Sequence, residues 1–127
     1  MNYHASMKIA IDIREAGKGK AGKGWYNFNL VHELLALDHE NTYLLYSNSE
    51  EDPFKKGANS TFKFISASDW KWHLEVLKDL KKEKPDLFFA PTSYIIPALA
   101  PKSLKTVITV HDLVAFIHFL GHPAQRQ

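Results

Sequence analysis

The chain has 127 residues, a net charge of +2, no cysteine and 45% hydrophobic residues. That length supports one hydrophobic core rather than two, and the apolar content excludes a disordered tail. The near-neutral balance carries no nucleic-acid footprint, and the lack of cysteine excludes disulfide and thiolate chemistry while fitting a reducing, cytoplasmic setting.

Residues Met1 to Ser6 (MNYHAS) lack the apolar core of a signal peptide and read as a short leader, native or added in cloning. The single domain is expected to occupy 7–127. Its longest apolar runs, Tyr94 to Ala100 and Leu113 to Leu120, are interrupted by Pro97 and His118 and fall short of the roughly 18 residues of a membrane span. Lys8 to Ile13 (KIAIDI) is β-branched and almost continuously apolar, as a buried parallel strand requires. A glycine-rich loop, GKGKAGKG over 17–24, follows it. Trp25 to Leu37 then carries Phe28, Val31, Leu34 and Leu35 at helical spacing. Thr42 to Tyr46 is the second strand, Asn48 to Ser60 a polar loop containing Pro53 and Gly57, and Phe62 to Ile65 the third strand. Ser68 or Asp69 can cap the next helix, whose expected apolar stripe is Trp70, Leu74, Leu77 and Leu80, with Trp72 partly exposed and the lysines facing water. Pro85 ends it. Leu87 to Ala90 is the fourth strand, APTSYIIPALAP a Pro-bearing loop, and Lys105 to Val110 the fifth strand. Strands alternating with helices predict an α/β fold: a Rossmann-like, doubly wound, mainly parallel sheet in three α/β/α layers.

The glycine loop approaches two phosphate-binding signatures and completes neither. Gly17, Gly19 and Gly22 match G-x-G-x-x-G, but the acidic residue that should follow about twenty positions later is missing, since the second strand ends Tyr46-Ser47-Asn48. Gly17, Gly22 and Lys23 match the phosphate-loop pattern until Gly24, which stands where a magnesium-binding hydroxyl is required. A basic loop with no ligand is the plain alternative. The other strand ends are polar as well: Asp12 and Arg14, then Thr92 and Ser93, then His111 and Asp112. Ligands of open α/β sheets bind beyond the carboxyl ends of the strands, so these features gather at one edge.

MKIAIDIRE, the glycine loop closing on GKGWYNFNLVHELL, ENTYLLYSN, PDLFFAPTSYIIP and TVITVHDLVAF together resemble, in order, the N-terminal domain of retaining GT-B glycosyltransferases of the family 4 type. The resemblance implies an enzyme that moves a sugar from a nucleotide-sugar donor to a sugar or lipid-linked acceptor. It implies Gly22, Lys23 and Gly24 near the donor diphosphate, with Lys18, Lys20 and Arg14 adding positive potential. His111 and Asp112 are the implied catalytic pair, and Arg14, Thr92, Ser93 and Tyr94 the implied acceptor contacts. No metal or other cofactor is implied, nor a nucleic-acid partner. The donor is implied to sit in a C-terminal domain outside this sequence, so the chain alone is expected to be inactive, prone to self-association through 113–120, and cytoplasmic with peripheral membrane contact. The alternative is a non-catalytic accessory module that completes an active site with a separate donor-binding chain; a stand-alone nucleotide-binding protein rests on the glycine spacing alone.

Smaller candidates carry less. His118 and His122 have ligand-like spacing but no third ligand. Glu75 and Glu83 reproduce the family's seven-residue glutamate spacing, but in the Lys-rich helix of the wrong domain. Asn59-Ser60-Thr61 is a glycosylation acceptor only in a secreted protein.

Overall fold

The computed structural model describes residues 5–55 and 57–113. Most of the leader, His118, His122 and the apolar run beyond Leu113 lie outside the described residues. In chain order the elements are β1 (Lys8–Asp12), a 3₁₀ turn (Arg14–Ala16), α1 (Gly22–Leu37), β2 (Thr42–Ser47), β3 (Ser60–Phe64), α2 (Asp69–Glu83), β4 (Leu87–Ala90), α3 (Ile95–Leu99) and β5 (Lys105–Ile108). The five strands are all parallel, in the order β3-β2-β1-β4-β5. This is a Rossmann-like α/β sheet, and its order reverses between β1 and β4.

Alternation along the strands builds the three layers. Ala10, Leu44, Tyr46, Phe88 and Ala90 face one side, where they pack on Trp72, Val76 and Leu80 of α2 and Ile96 of α3. Ile11, Ile13, Tyr43 and Leu45 face the other, against Val31 of α1, flanked by Phe28, Leu34 and Leu35. Both faces of the central strands are covered, which explains why KIAIDI and TYLLY are nearly unbroken apolar runs. Among the described residues between β2 and β3 there is no helix; Phe54 of that connection instead stacks on Phe28 with 5.2 Å between ring centroids.

Helix α2 departs from the expected stripe. Trp72 is fully buried, and His73, Val76 and Leu80 share its face, whereas Trp70 is 63% and Leu74 59% exposed. Both stripes satisfy helical periodicity, so spacing alone does not choose between them. Polar anchoring does: the Trp72 indole N–H donates to the Ser47 carbonyl at 3.3 Å, and the Arg14 guanidinium lies 3.8 Å over the Trp72 ring. The helix ends at Lys84, whose φ of 49° is the left-handed cap usually given to glycine, and whose N–H bonds the Leu80 carbonyl.

Two further differences are local. Helix α1 starts at Gly22, three residues before the expected Trp25, and the loop expected over 90–101 contains α3. Pro97 is tolerated there because it lies in the first turn, where its missing N–H has no intrahelical acceptor. Glu83 pairs with Lys8 and Lys63 and Glu75 approaches Lys78, so each of the two glutamates has a local partner. Asn59 is also internal in role, donating to the Asp38 carbonyl at 2.7 Å.

Polar contacts tie the sheet to its helices. The Tyr46 hydroxyl donates to Asp79 at 2.8 Å, and Lys63 bridges Asp79 and Glu83 at 3.3 and 3.0 Å. Burial, reinforced by Asp79, pushes the Tyr46 phenol above its ordinary range. Burial pulls the Lys63 ammonium down, but Glu83 and Asp79 outweigh it and hold it above the usual lysine value; Lys63 in turn holds Glu83 low. At the start of β2, the Tyr43 hydroxyl and then Asn41 hold the Asp38 carboxyl well below the carboxylate range.

Candidate functional site

The carboxyl ends of β1, β4 and β5 and the first turn of α1 meet at the edge where the strand order reverses, the position at which open α/β sheets bind ligands. The glycine loop brings α1 there. Gly19 has a φ of 73°, which a side chain rarely adopts. Gly24 is buried, and a Cβ there would stand 2.5 Å from the Glu15 carbonyl oxygen and 3.0 Å from the Lys20 Cβ. Gly24 thus lets the first turn of α1 lie against the 3₁₀ turn after β1. Gly22 has open space where its side chain would be. Ala21 caps the helix with extended backbone and no side-chain hydrogen bond, and the first turn carries no acid. Its N–H groups therefore meet no competing side-chain acceptor, the arrangement that suits an anion.

The lysines of the loop are not equivalent. Lys18 pairs with Glu51 at 2.9 Å, and the Lys20 ammonium lies 4.9 Å from the Trp25 ring and 4.8 Å from the Phe28 ring. Lys23 is exposed and makes no ion pair or side-chain hydrogen bond among the described residues. Of the expected basic groups, it is the cation left available at this turn.

His111 is joined to the same turn of α1. Its Nε2–H donates to the Pro91 carbonyl at 2.6 Å, and its ring meets Tyr26 edge-on with 4.9 Å between centroids. The Tyr26 hydroxyl lies 3.0 Å from the Thr109 Oγ1. The bond to Pro91 assigns the proton of a neutral ring to Nε2, which leaves the Nδ1 lone pair as an acceptor. Asp112 and Leu113 follow on the exposed end of this segment. Sequence reasoning missed Tyr26, Pro91 and Thr109; the adjacent aromatic pair at the start of α1 was the available signal, but its partners lie more than sixty residues away.

The remaining expected residues fall into two further groups. Thr92, Ser93 and Tyr94 form the turn after β4, beside Pro91. The Ser93 hydroxyl accepts the Ile95 N–H at 3.5 Å, and Tyr94 is 73% exposed. Arg14 is engaged elsewhere: it grips the buried Asp12 carboxylate through Nε and Nη2, the latter at 2.8 Å, while stacking on Trp72. Its Nη2 also donates toward His73 Nε2 at 3.4 Å, and His73 Nδ1–H donates to the Asp69 carbonyl at 2.9 Å. Behind this cluster the buried Asn27 amide donates to the Asp12 carbonyl at 3.1 Å. Arg14 therefore locks α2 onto the end of β1 instead of lending its charge to the glycine loop.

Among the described residues, no group of three or more His, Cys, Asp or Glu side chains could hold a metal, and no helix is long and apolar enough to cross a membrane. No protein-family model matches the chain, and no curated protein is similar to it.

Proposed function

We propose that the chain is the acceptor-side domain of a two-domain glycosyltransferase, which moves a sugar from a nucleotide-sugar to an acceptor. The observation that supports this reading is the junction of His111, Tyr26 and Pro91 with the uncapped first turn of α1. A polarisable ring nitrogen and an anion-favouring helix start share one edge, as transfer away from a diphosphate demands. Lys23 and the N–H groups of 22–24 stabilise charge that develops on the leaving diphosphate. His111 Nδ1 accepts a hydrogen bond from a hydroxyl of the transferred sugar, and the 92–94 turn meets the acceptor. Asp112 assists from the same segment. Half the stabilising groups come from a donor-binding domain, so the chain alone turns over no substrate.

Titration with a panel of nucleoside diphosphates and inorganic pyrophosphate, followed by NMR, tests the reading. Weak binding that shifts the 22–26 amides and His111, and that Lys23→Gln reduces about fivefold, is expected for one exposed charge-assisted contact. Robust sugar transfer by the purified chain refutes the half-site. Micromolar binding of NAD or ATP, abolished by Gly22→Val, replaces the reading with a stand-alone nucleotide-binding protein.

A further inference from the structure

We propose that the outer face of α2, with the groove at its C-terminal end, docks on an anionic lipid membrane. This surface is separate from the strand-end site, and the inference holds whether or not that site transfers a sugar.

The face is built by the helix phase described above. With Trp72, Val76 and Leu80 turned inward, Trp70, Leu74 and Lys81 line up outward at i, i+4 and i+11, and half-buried Leu77 borders them where it packs against the core. Trp70 and Leu74 are each more than half exposed. Lys71, Lys78 and Lys82 run beside them on the same outward side. The acids of α2 offset this charge only in part: Asp79 and Glu83 turn toward Lys63, Glu75 lies 3.9 Å from Lys78, and Asp69 stands exposed at the start of the helix, which leaves Lys71, Lys81 and Lys82 unpaired among the described residues.

At its C-terminal end the stripe runs into a groove of about 680 Å³ between α2, α3 and the start of β5. Leu77, Leu80, Leu99 and Leu104 form its apolar walls, and Lys81 and Lys84 stand at its rim. Leu99 is 46% exposed. Lys102 and Lys105 continue the basic surface. The side chains of Lys71, Lys81, Lys82, Lys84, Lys102 and Lys105 make no ion pair or hydrogen bond among the described residues. The net charge of the whole chain is only +2, so these cations are segregated and not a sample of a basic protein.

Two features select a membrane over another polyanion. An exposed tryptophan and leucine at the centre of the basic stripe match the interface between headgroups and acyl chains, where an aromatic ring is half dry. The cations are all lysines, point charges suited to a diffuse anionic surface, with no arginine to fork onto individual phosphates. The groove gives the leucines a place to meet an acyl chain without unfolding the domain.

Co-sedimentation of the purified chain with phosphatidylcholine vesicles containing phosphatidylglycerol, beside pure phosphatidylcholine vesicles, tests the inference. Binding only to the anionic vesicles, weakened by salt, is expected. Lys71→Gln/Lys81→Gln/Lys82→Gln should reduce it by about a hundredfold, at about fivefold per lysine. In a Trp25→Phe background, Trp70 is the exposed indole, and its emission should shift to the blue on binding and lose that shift in Trp70→Ala. These positions are solvent-facing, so circular dichroism should show every variant folded. Equal binding to neutral vesicles, no binding to either kind, or an unaffected triple variant overturns the proposal. So does a labelled oligonucleotide that binds through these lysines while vesicles stay unbound, which makes the face a nucleic-acid surface.

Discussion

Gly22 and Gly24 are two residues apart in one helical turn, yet alanine should act on them in opposite directions. At Gly24 the added methyl would stand 2.5 Å from a backbone oxygen, that of Glu15, which moves only if the 3₁₀ turn after β1 moves. Overpacking of this kind costs about 1 to 3 kcal/mol, and the better helix propensity of alanine returns at most about 1 kcal/mol. A 2.5 Å contact with a backbone oxygen belongs in the upper part of that range, about 2 to 3 kcal/mol, so the net expectation is a loss of about 1 to 2 kcal/mol. At Gly22 nothing lies within 4 Å of the added Cβ and the backbone is helical, so alanine should be neutral or stabilising by up to about 1 kcal/mol. Urea denaturation followed by far-UV circular dichroism measures both, with thermal midpoints moving roughly 3 to 6 °C per kcal/mol for a domain of this size. Gly24→Ala as stable as the parent refutes the close approach of α1 to the 3₁₀ turn. If it is stable but loses diphosphate binding, Gly24 serves the ligand and not the packing.

Three other outcomes are expected. Arg14→Met should destabilise by about 3 to 5 kcal/mol because it strands the buried Asp12 carboxylate, and Asp12→Asn combined with it should recover about 1 to 3 kcal/mol of the summed loss in denaturant titrations; strict additivity would contradict the pairing. Tyr46→Phe should cost about 0.5 to 1.5 kcal/mol at neutral pH by removing the bond to Asp79. The folded-state pKa of Tyr46 is raised, so its contribution is complete below the unfolded value near 10 and is lost as pH rises beyond it; the deficit of Tyr46→Phe should therefore shrink in alkaline melts, and a constant deficit argues against the shift. Trp72→Ala should cost about 3 to 5 kcal/mol, whereas Trp70→Ala should stay within about 0.5 kcal/mol, and equal losses by chemical denaturation would reject the observed phase of α2.

Local pattern alone determined a good deal. Nearly unbroken apolar runs at 8–13, 42–46 and 87–90, separated by helical spacing, state that strands buried on both faces alternate with helices, and a parallel α/β sheet follows from chain connectivity. The same pattern brings the glycine loop, the turn after β4 and His111 to one edge, because in a parallel sheet every strand ends on the same side. Three matters needed the tertiary structure. The phase of α2 was open because Trp70 and Trp72 both begin a valid apolar stripe; bonds from Ser47 and Arg14, far away in sequence, decide it and leave a basic, tryptophan-bearing face outside. The role of each basic residue was equally open, since only contact geometry gives Arg14 to Asp12, Lys18 to Glu51 and Lys20 to two aromatic rings, leaving Lys23 available. The difference between Gly22 and Gly24 was invisible in GKGKAGKG, because a missing side chain has the same letter whether it makes room for a neighbouring carbonyl or for a ligand.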